Sequence, residues 1–397
     1  MGKMEKYQVV IVGGGTAGLS VAAQLAKKMN PEGIAIIDPA DEHYYQPIWT
    51  LVGAGILNKN ASMRKQKSLI PKGVHHILDA ADSFIPEEQL VLTKGGKKIQ
   101  YDYLVAAPGL KLNWEAVKGL KDAIGKDGVV SNYDYRYVEK TWEALQTFKG
   151  GNAIFTHPNT PIKCGGAPQK IMYLADDVLK ERGVRDNTNI MFYSADPAIF
   201  AVDKYRKTLE TVIERKSIKT KYQHNLVEVR PDNKEAVFEN MQTGETETVH
   251  YDMLHVTPPM APPDFIKNSP LADAAGWVDV DQYTLQHKKF KNIFALGDAS
   301  NLPTSKTGAA IRKQAPVVVK NLLSRRKNVP LTARYDGYTS CPLVTGKGKL
   351  VLAEFDYDKN PKETFPFNQA KERYSMYFLK KNLLPIFYWK GMMKGKM

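Results

Sequence analysis

A chain of 397 residues is long enough for two or three domains, and its 43% hydrophobic and 25% charged residues are typical of a globular protein. Two cysteines exclude a disulfide scaffold, and no run of about 18 apolar residues indicates a membrane-spanning helix. The net charge of +14 suits a solvated basic surface or binding to an anionic membrane surface. Because no nucleic-acid-binding motif accompanies this charge, we expect no nucleic acid partner.

The first predicted element is a strand, and no signal or transit peptide precedes it. Residues 1–10 read M-G-K-M-E-K-Y-Q-V-V and run directly into an apolar stretch. This start predicts a protein of a cytoplasm-like compartment.

Residues 8–18, Q-V-V-I-V-G-G-G-T-A-G, join a buried-type strand to three glycines with the spacing of a dinucleotide-binding loop. A helix with apolar residues at helical spacing follows, and a second strand, I-A-I-I, ends at Asp38. This pattern predicts a βαβ unit in which the loop approaches a pyrophosphate and Asp38 binds a ribose hydroxyl. The loop residues that we expect to contact the nucleotide are Gly13, Gly15, Thr16, Ala17 and Gly18.

Two later stretches decide between FAD and NAD. Residues 101–109, Y-D-Y-L-V-A-A-P-G, form a short apolar strand that ends in a small-residue turn at Gly109. Residues 291–300, K-N-I-F-A-L-G-D-A-S, place Asp298 after a second buried strand. In this order they resemble the flavoproteins with two dinucleotide-binding domains, and they predict FAD as the cofactor.

The middle of the chain has a strand but no second glycine motif. The predicted strand at 151–156 is followed by H-P-N-T-P-I-K-C-G-G-A-P-Q-K, so Cys164 lies where a nicotinamide dinucleotide would bind. This argues against NADH as the electron donor. Cys164 lies near the start of a predicted helix and beside Lys163, and both features favour its thiolate.

The other cysteine, Cys341, is predicted to lie in a turn, S-C-P-L-V-T-G, with no helix behind it. Each cysteine alone is compatible with a small inert hydrophobic residue. Two cysteines in glycine- or proline-flanked loops favour redox chemistry instead. The histidines do not have metal-ligand spacing, so we predict no metal site.

Residues 374–397 contain two short aromatic pieces flanked by lysines, and neither piece is long enough to span a bilayer. Aromatic residues beside lysines are typical of an interfacial membrane segment, although a helix pair packed on the flavin domain is an alternative.

Along nearly its whole length the chain resembles the sulfide:quinone oxidoreductases, specifically their two-cysteine, mitochondrial-type branch. Among the matching stretches are H-Y-Y-Q-P-I-W-T-L-V-G-A-G at 43–55, the cysteine loop at 151–174, and Y-D-G-Y-T-S-C-P-L-V-T-G at 335–346. Shorter matches lie at 253–263, 274–281 and 301–307. The resemblance implies that Cys164 and Cys341 are the redox-active pair, bridged at rest either directly or through an extra sulfur atom. It also implies four further FAD contacts, namely Gln46, Ala81, Asp298 and Lys306.

The resemblance implies an enzyme that oxidises hydrogen sulfide through the cysteine pair and FAD. Two electrons would pass to a membrane quinone, and the sulfane sulfur to a small acceptor or polysulfide. The residues that we expect to line a quinone route are Phe378, Phe387, Tyr388 and Trp389. A type II NADH:quinone dehydrogenase is the alternative enzyme, weakened by the missing glycines of the middle domain. A non-catalytic flavin-binding protein at a membrane would require both cysteines to be incidental.

The expected architecture is α/β, with two Rossmann-like domains and a C-terminal membrane-associated region. We predict an FAD-binding domain at 1–110 and 268–335, a second Rossmann-like domain without a nucleotide motif at 111–267, and a quinone and membrane region at 336–397. We expect a peripheral protein on the cytoplasmic face of a bacterial inner membrane, with the matrix face of the mitochondrial inner membrane as the alternative. The sequence leaves homo-oligomerisation open.

Overall fold

A computed structural model describes residues 4–397 as an α/β protein built on two sheets. The strands are β1 Met4–Val12, β2 Ile34–Ile37, β3 Glu42–Tyr44, β4 Met63–Lys65, β5 His75–Ile77, β6 Ala81–Ile85, β7 Leu90–Thr93, β8 Lys98–Ala106, β9 Lys111–Leu112, β10 Val129–Val130, β11 Gly151–His157, β12 Thr188–Ser194, β13 Lys219–Tyr222, β14 His224–Arg230, β15 Glu235–Asn240, β16 Thr246–His250, β17 Met253–His255, β18 Met260–Ala261, β19 Ile293–Ala295, β20 Thr339–Gly346 and β21 Lys349–Phe355. The helices are α1 Thr16–Leu25, α2 Trp49–Gly53, α3 Leu120–Ala123, α4 Val138–Thr147, α5 Ala167–Glu181, α6 Asp203–Arg215, α7 Asp264–Lys267, α8 Gly308–Arg326, α9 Tyr374–Phe378 and α10 Leu384–Ile386.

The first sheet has the order β5-β2-β1-β8-β7-β6, and β19 also pairs with β8. Its central pairs, β1 with β2, β1 with β8 and β8 with β19, are parallel. The apolar run of β1 is buried from Val9 to Val12, as expected for a strand covered on both faces. The predicted strands before Gly13, before Asp38, before Gly109 and before Asp298 are all confirmed.

The second sheet is parallel and has the order β10-β17-β11-β12-β13. Its central strand β11 confirms the predicted strand after residue 150, and α5 confirms the helix predicted after the cysteine loop. A three-stranded antiparallel sheet, β14-β15-β16, lies beside it. The chain returns to the first sheet through β19 and the long helix α8.

The C-terminal part of the chain packs on both halves of the molecule. The antiparallel hairpin of β20 and β21 packs against α5, and its residues belong to the hydrophobic core of the second sheet. Residues 384–397, which we name the C-terminal arm, instead pack on the core of the first sheet through Tyr388, Met392 and Met393. Among residues 4–397, no helix is both long and apolar enough to cross a membrane. The three predicted domain ranges stay predictions.

Candidate active site

The glycine loop between β1 and α1 is packed so tightly that two of its positions accept no side chain. Gly13 has a φ of +102°, and a Cβ atom there would collide with the carbonyl oxygen of Ala107 at the end of β8. A Cβ atom on Gly18 would collide with the carbonyl oxygen of Gly13. These two glycines therefore let the loop, β8 and α1 meet, as the sequence motif predicts.

In the middle of the loop, side chains hold the backbone of Gly14, while the space beside Gly15 is open. The N–H of Gly14 donates to Asp38 Oδ2 at 2.5 Å, and its carbonyl oxygen accepts from Gln66 Nε2 at 2.8 Å. Gly15 is exposed, and a Cβ atom built on it meets no atom within 4 Å. Gly15 also precedes α1 without a side-chain cap. The free helix N-terminus, the open glycine and the acid at the end of β2 fit an FAD pyrophosphate and ribose.

Four other predicted cofactor residues occupy three places. Ala81 is buried at the start of β6, and Gly109 has a φ of +77° with open space beside it. Asp298 and Lys306 lie together, because Lys306 Nζ donates to the carbonyl oxygens of Asp298 at 2.8 Å and of Ser300 at 3.0 Å. Burial raises the pKa of Asp298 and lowers the pKa of Lys306 to about 8.

The two cysteines, 177 positions apart in the chain, meet in the structure. Their Sγ atoms are 3.9 Å apart and are not joined by a disulfide bond. Cys341 lies within β20, so our prediction of a turn there is wrong. Gly166 makes this approach possible, since a Cβ atom there would lie 2.5 Å from Cys341 Sγ.

The backbone joins Cys164 to the predicted flavin contacts. Its N–H donates to the carbonyl oxygen of Lys306 at 2.8 Å, and its own carbonyl oxygen accepts from the N–H of Ala167 at 2.8 Å. Cys164 has a φ of +55°, a left-handed conformation that costs a non-glycine residue energy and is often found at functional sites. The structure thus brings Cys164 and Cys341 next to Asp298 and Lys306.

A buried lysine that the sequence interpretation missed contacts the sulfur. Lys170 Nζ lies 3.1 Å from Cys164 Sγ, and its side chain is only 2% exposed. Lys163, the cation that we expected beside the sulfur, instead donates to the carbonyl oxygen of Tyr133 at 3.3 Å. The cation in contact with the thiolate therefore comes from the first turns of α5, not from the neighbouring residue.

The two sulfurs differ strongly in acidity. The hydrogen bond from Cys341 and the charge of Lys170 hold the pKa of Cys164 well below its usual range, although burial opposes them. The same hydrogen bond and burial raise the pKa of Cys341 well above its usual range. These contacts therefore favour the thiolate on Cys164 and the protonated thiol on Cys341.

A second buried lysine, Lys380, also comes close to the pair. It is 3% exposed and donates from Nζ to the carbonyl oxygen of Pro47 at 2.9 Å, next to the exposed Gln46. Burial, followed by the like charge of Lys170, lowers the pKa of Lys380 to about 7. In the sequence it reads as one of the lysines of an interfacial segment, and no local signal distinguishes it.

The four aromatic residues predicted to line a quinone route are not equivalent. Phe378 and Phe387 are exposed, by 46% and 44%. Tyr388 is buried and bonds through its hydroxyl to Thr16 Oγ1 at 2.7 Å, and Trp389 packs against it. The arm thus combines contacts to the flavin-type domain with an exposed apolar edge, and so joins features of both predicted alternatives.

The fold and the site define a flavin-dependent disulfide oxidoreductase. Residues 7–143 match the family model described as "Pyridine nucleotide-disulphide oxidoreductase". The chain is 53% identical, over 98% of its length and 86% of the relative's, to "Sulfide:quinone oxidoreductase, mitochondrial" of Dictyostelium discoideum, and 49% identical, over 98% and 87%, to that of Mus musculus. It belongs to the sulfide:quinone oxidoreductase family, and FAD is its cofactor.

A solved structure agrees with this assignment at the level of the fold. The sulfide:quinone oxidoreductase from Aquifex aeolicus is 22% identical, with a TM-score of 0.85 over 98% of this chain and 92% of that chain. The expected architecture of two Rossmann-like domains is confirmed. The expected bacterial inner-membrane location gains no support, because the Dictyostelium and mouse relatives, at 53% and 49% identity, are described as mitochondrial.

Proposed function

We propose that this enzyme oxidises hydrogen sulfide with the pair of Cys164 and Cys341 and passes two electrons through FAD to a quinone. The observation that carries this proposal is that the two sulfurs meet beside Asp298 and Lys306, and that the ammonium group of Lys170 contacts Cys164 Sγ. The relatives that carry the name sulfide:quinone oxidoreductase over 98% of this chain support it.

The first step starts from a bond between the two sulfurs. Hydrosulfide attacks Cys341 Sγ, so that a new S–S bond forms there and the bond to Cys164 breaks. Cys164 leaves as a thiolate, and the 3.1 Å contact with Lys170 stabilises that anion. A leaving thiol of low pKa speeds thiol–disulfide exchange, which assigns Cys164 as the leaving sulfur and Cys341 as the sulfur attacked.

The cycle closes in two further steps. A small nucleophilic acceptor removes the outer sulfur of the Cys341 persulfide and leaves a thiol. The bond between Cys164 and Cys341 then re-forms, with the loss of two electrons and the remaining thiol proton. FAD, when bound, accepts these two electrons and passes them to a quinone. A small sulfur acceptor stays a prediction, and homo-oligomerisation stays open.

The proposed cofactor contacts follow the geometry of the loop and of the Asp298 region. The free N–H groups at the start of α1 would bind the pyrophosphate, and Asp38 would accept from a ribose hydroxyl. Lys306 would supply positive charge near the flavin ring, and Asp298 would accept from the ribityl chain. Gln46, Ala81 and Gly109 stay predicted contacts.

We also propose that the enzyme attaches to an anionic membrane surface through its C-terminal end. Several exposed apolar or aromatic side chains lie there, and Lys390 and Lys394 are exposed on the arm. Rings at headgroup depth with lysines toward anionic lipid suit such attachment. The exposed side chains include Tyr374, Phe378, Ile386 and Phe387. The names of the Dictyostelium and mouse relatives support a mitochondrial location, and the matrix face of the inner membrane stays the predicted surface there.

An anaerobic titration tests the proposed activity. Sulfide should bleach the visible flavin band of the holoenzyme, NADH should not, and a water-soluble quinone should restore the band. Cys164→Ser and Cys341→Ser should each abolish bleaching while the oxidised flavin spectrum stays unchanged. Bleaching by NADH alone would favour the NADH:quinone dehydrogenase, which the cysteine loop after β11 and the absence of a second glycine motif argue against.

A further inference from the structure

The C-terminal arm lies along α1, the helix that follows the glycine loop. A Cβ atom on Gly395 would be 2.6 Å from the carbonyl oxygen of Ala23, so the two backbones touch there. Gln24 Nε2 donates to the carbonyl oxygen of Met397 at 3.0 Å, and Lys27 Nζ to that of Gly395 at 2.8 Å. The last residues of the chain are therefore fastened to the helix whose N-terminus faces the nucleotide.

Tyr388 connects the arm to the glycine loop itself. Its hydroxyl bonds to Thr16 Oγ1 at 2.7 Å and to His43 Nε2, while His43 Nδ1 lies 3.3 Å from the carbonyl oxygen of Gly14. A carbonyl oxygen only accepts, so Nδ1 carries the hydrogen and Nε2 accepts from Tyr388. Tyr388 in turn accepts from Thr16. The hydrogen bonds therefore run in one donor-to-acceptor direction, from the Thr16 hydroxyl through Tyr388 and His43 to the carbonyl oxygen of Gly14.

This chain fixes one peptide plane of the loop. The carbonyl oxygen of Gly14 is held by His43 and also by Gln66 Nε2 at 2.8 Å. A trans peptide is planar, and its N–H points opposite to its carbonyl oxygen. Holding the Gly14 oxygen therefore turns the Gly15 N–H away from His43 and Gln66. Gly15 is exposed and has free space around it.

We propose that Tyr388 is a positioning residue for FAD, through which the C-terminal arm keeps the glycine loop in its ligand-binding geometry. Docking of the arm and binding of FAD then strengthen each other by the same factor, because coupling between two binding equilibria is reciprocal. Ile386 and Phe387, which directly precede Tyr388, are exposed by 47% and 44%. A surface that contacts these two side chains would therefore act on FAD affinity as well.

Flavin release from the diluted holoenzyme tests this proposal independently of sulfide oxidation. Tyr388→Phe keeps the ring but leaves Thr16 and His43 without their partner, and we expect FAD to bind about tenfold more weakly. Tyr374→Phe is the matched control, because Tyr374 belongs to the same C-terminal region but is 68% exposed. It should leave FAD affinity unchanged. Wild-type affinity in Tyr388→Phe, or equal weakening in both variants, would overturn the proposal.

A second measurement needs no variant and so remains valid if Tyr388→Phe folds poorly. Trypsin cleaves after the exposed Lys390 and Lys394 of the arm and after the exposed Lys234 in the turn between β14 and β15. Bound FAD should slow cleavage in the arm more than cleavage at Lys234, relative to the flavin-depleted protein. Equal slowing at all sites, or no slowing in the arm, would contradict the coupling.

Discussion

Replacing Lys170 by methionine tests whether one lysine keeps Cys164 as a thiolate. The Nζ atom of Lys170 lies 3.1 Å from Cys164 Sγ, and the lysine side chain is 2% exposed. A hydrogen bond to a charged group contributes about 1.5–3 kcal/mol, and one pKa unit corresponds to about 1.4 kcal/mol. Methionine keeps the apolar length of the side chain without the charge. We therefore expect the pKa of Cys164 to rise, because its thiolate loses about 1.5–3 kcal/mol of stabilisation.

The assay is the pH dependence of alkylation of Cys164 by iodoacetamide. It is carried out in the Cys341→Ser background, in which Cys164 is the only cysteine of the chain. The thiolate is the reactive form, so Lys170→Met should slow alkylation below the shifted midpoint. Above both midpoints the two proteins should react at similar rates.

Lys163→Met is the matched control, because Lys163 directly precedes Cys164 but donates to the carbonyl oxygen of Tyr133. It should move the midpoint less than Lys170→Met. An unchanged midpoint in Lys170→Met would refute the assignment of Lys170 as the partner of the thiolate. A larger shift in Lys163→Met would restore the interpretation made from the sequence.

Three further changes follow from the same structure. Gly15→Ala adds a methyl group that meets no protein atom within 4 Å, so urea unfolding of the apoprotein should be unchanged. FAD should bind at least about tenfold more weakly, because the methyl group occupies the space into which we place the nucleotide. Unchanged FAD affinity would show that the nucleotide binds elsewhere. Lys380 holds its proton up to about pH 7 when folded and up to about 10.5 when unfolded, so wild-type stability rises with pH between these values. Lys380→Met should therefore gain most stability below pH 7 and none above 10.5, and a gain that is the same at every pH would contradict the buried charge. The double variant Ile386→Ser, Phe387→Ser should bind vesicles of equal parts phosphatidylcholine and phosphatidylglycerol about tenfold more weakly, and unchanged binding would exclude this edge as the membrane contact.

The fold was predictable where the signals are local. The run before Gly13, the helical spacing after Gly18 and the strand that ends at Asp38 each depend on a few neighbouring residues. The strand before the cysteine loop was equally clear, because a buried parallel strand reads as a continuous apolar run. These elements include two neighbouring strands of the first sheet and the central strand of the second.

The site was less predictable, because its important contacts join distant parts of the chain. Pro342 made a strand around Cys341 look unfavourable, but β20 pairs only with β21, where a proline is tolerated. Lys170 reads as an ordinary helix lysine, and nothing in its local pattern shows that its Nζ atom contacts the sulfur of Cys164, six positions earlier. Tyr388 has the composition of a membrane-facing residue, yet its hydroxyl bonds to Thr16, 372 positions earlier.

Because the two cysteines are far apart along the chain, the sulfur chemistry would also change the stability of the fold. A bond between Cys164 and Cys341 would fasten the hairpin near the end of the chain to the loop before α5, across 177 positions. Closing a loop of that length removes about 5 kcal/mol of conformational freedom from the unfolded chain. Each turnover would then break and re-form this cross-link. Sulfide, as the substrate that breaks it, would lower the thermal stability of the enzyme during turnover.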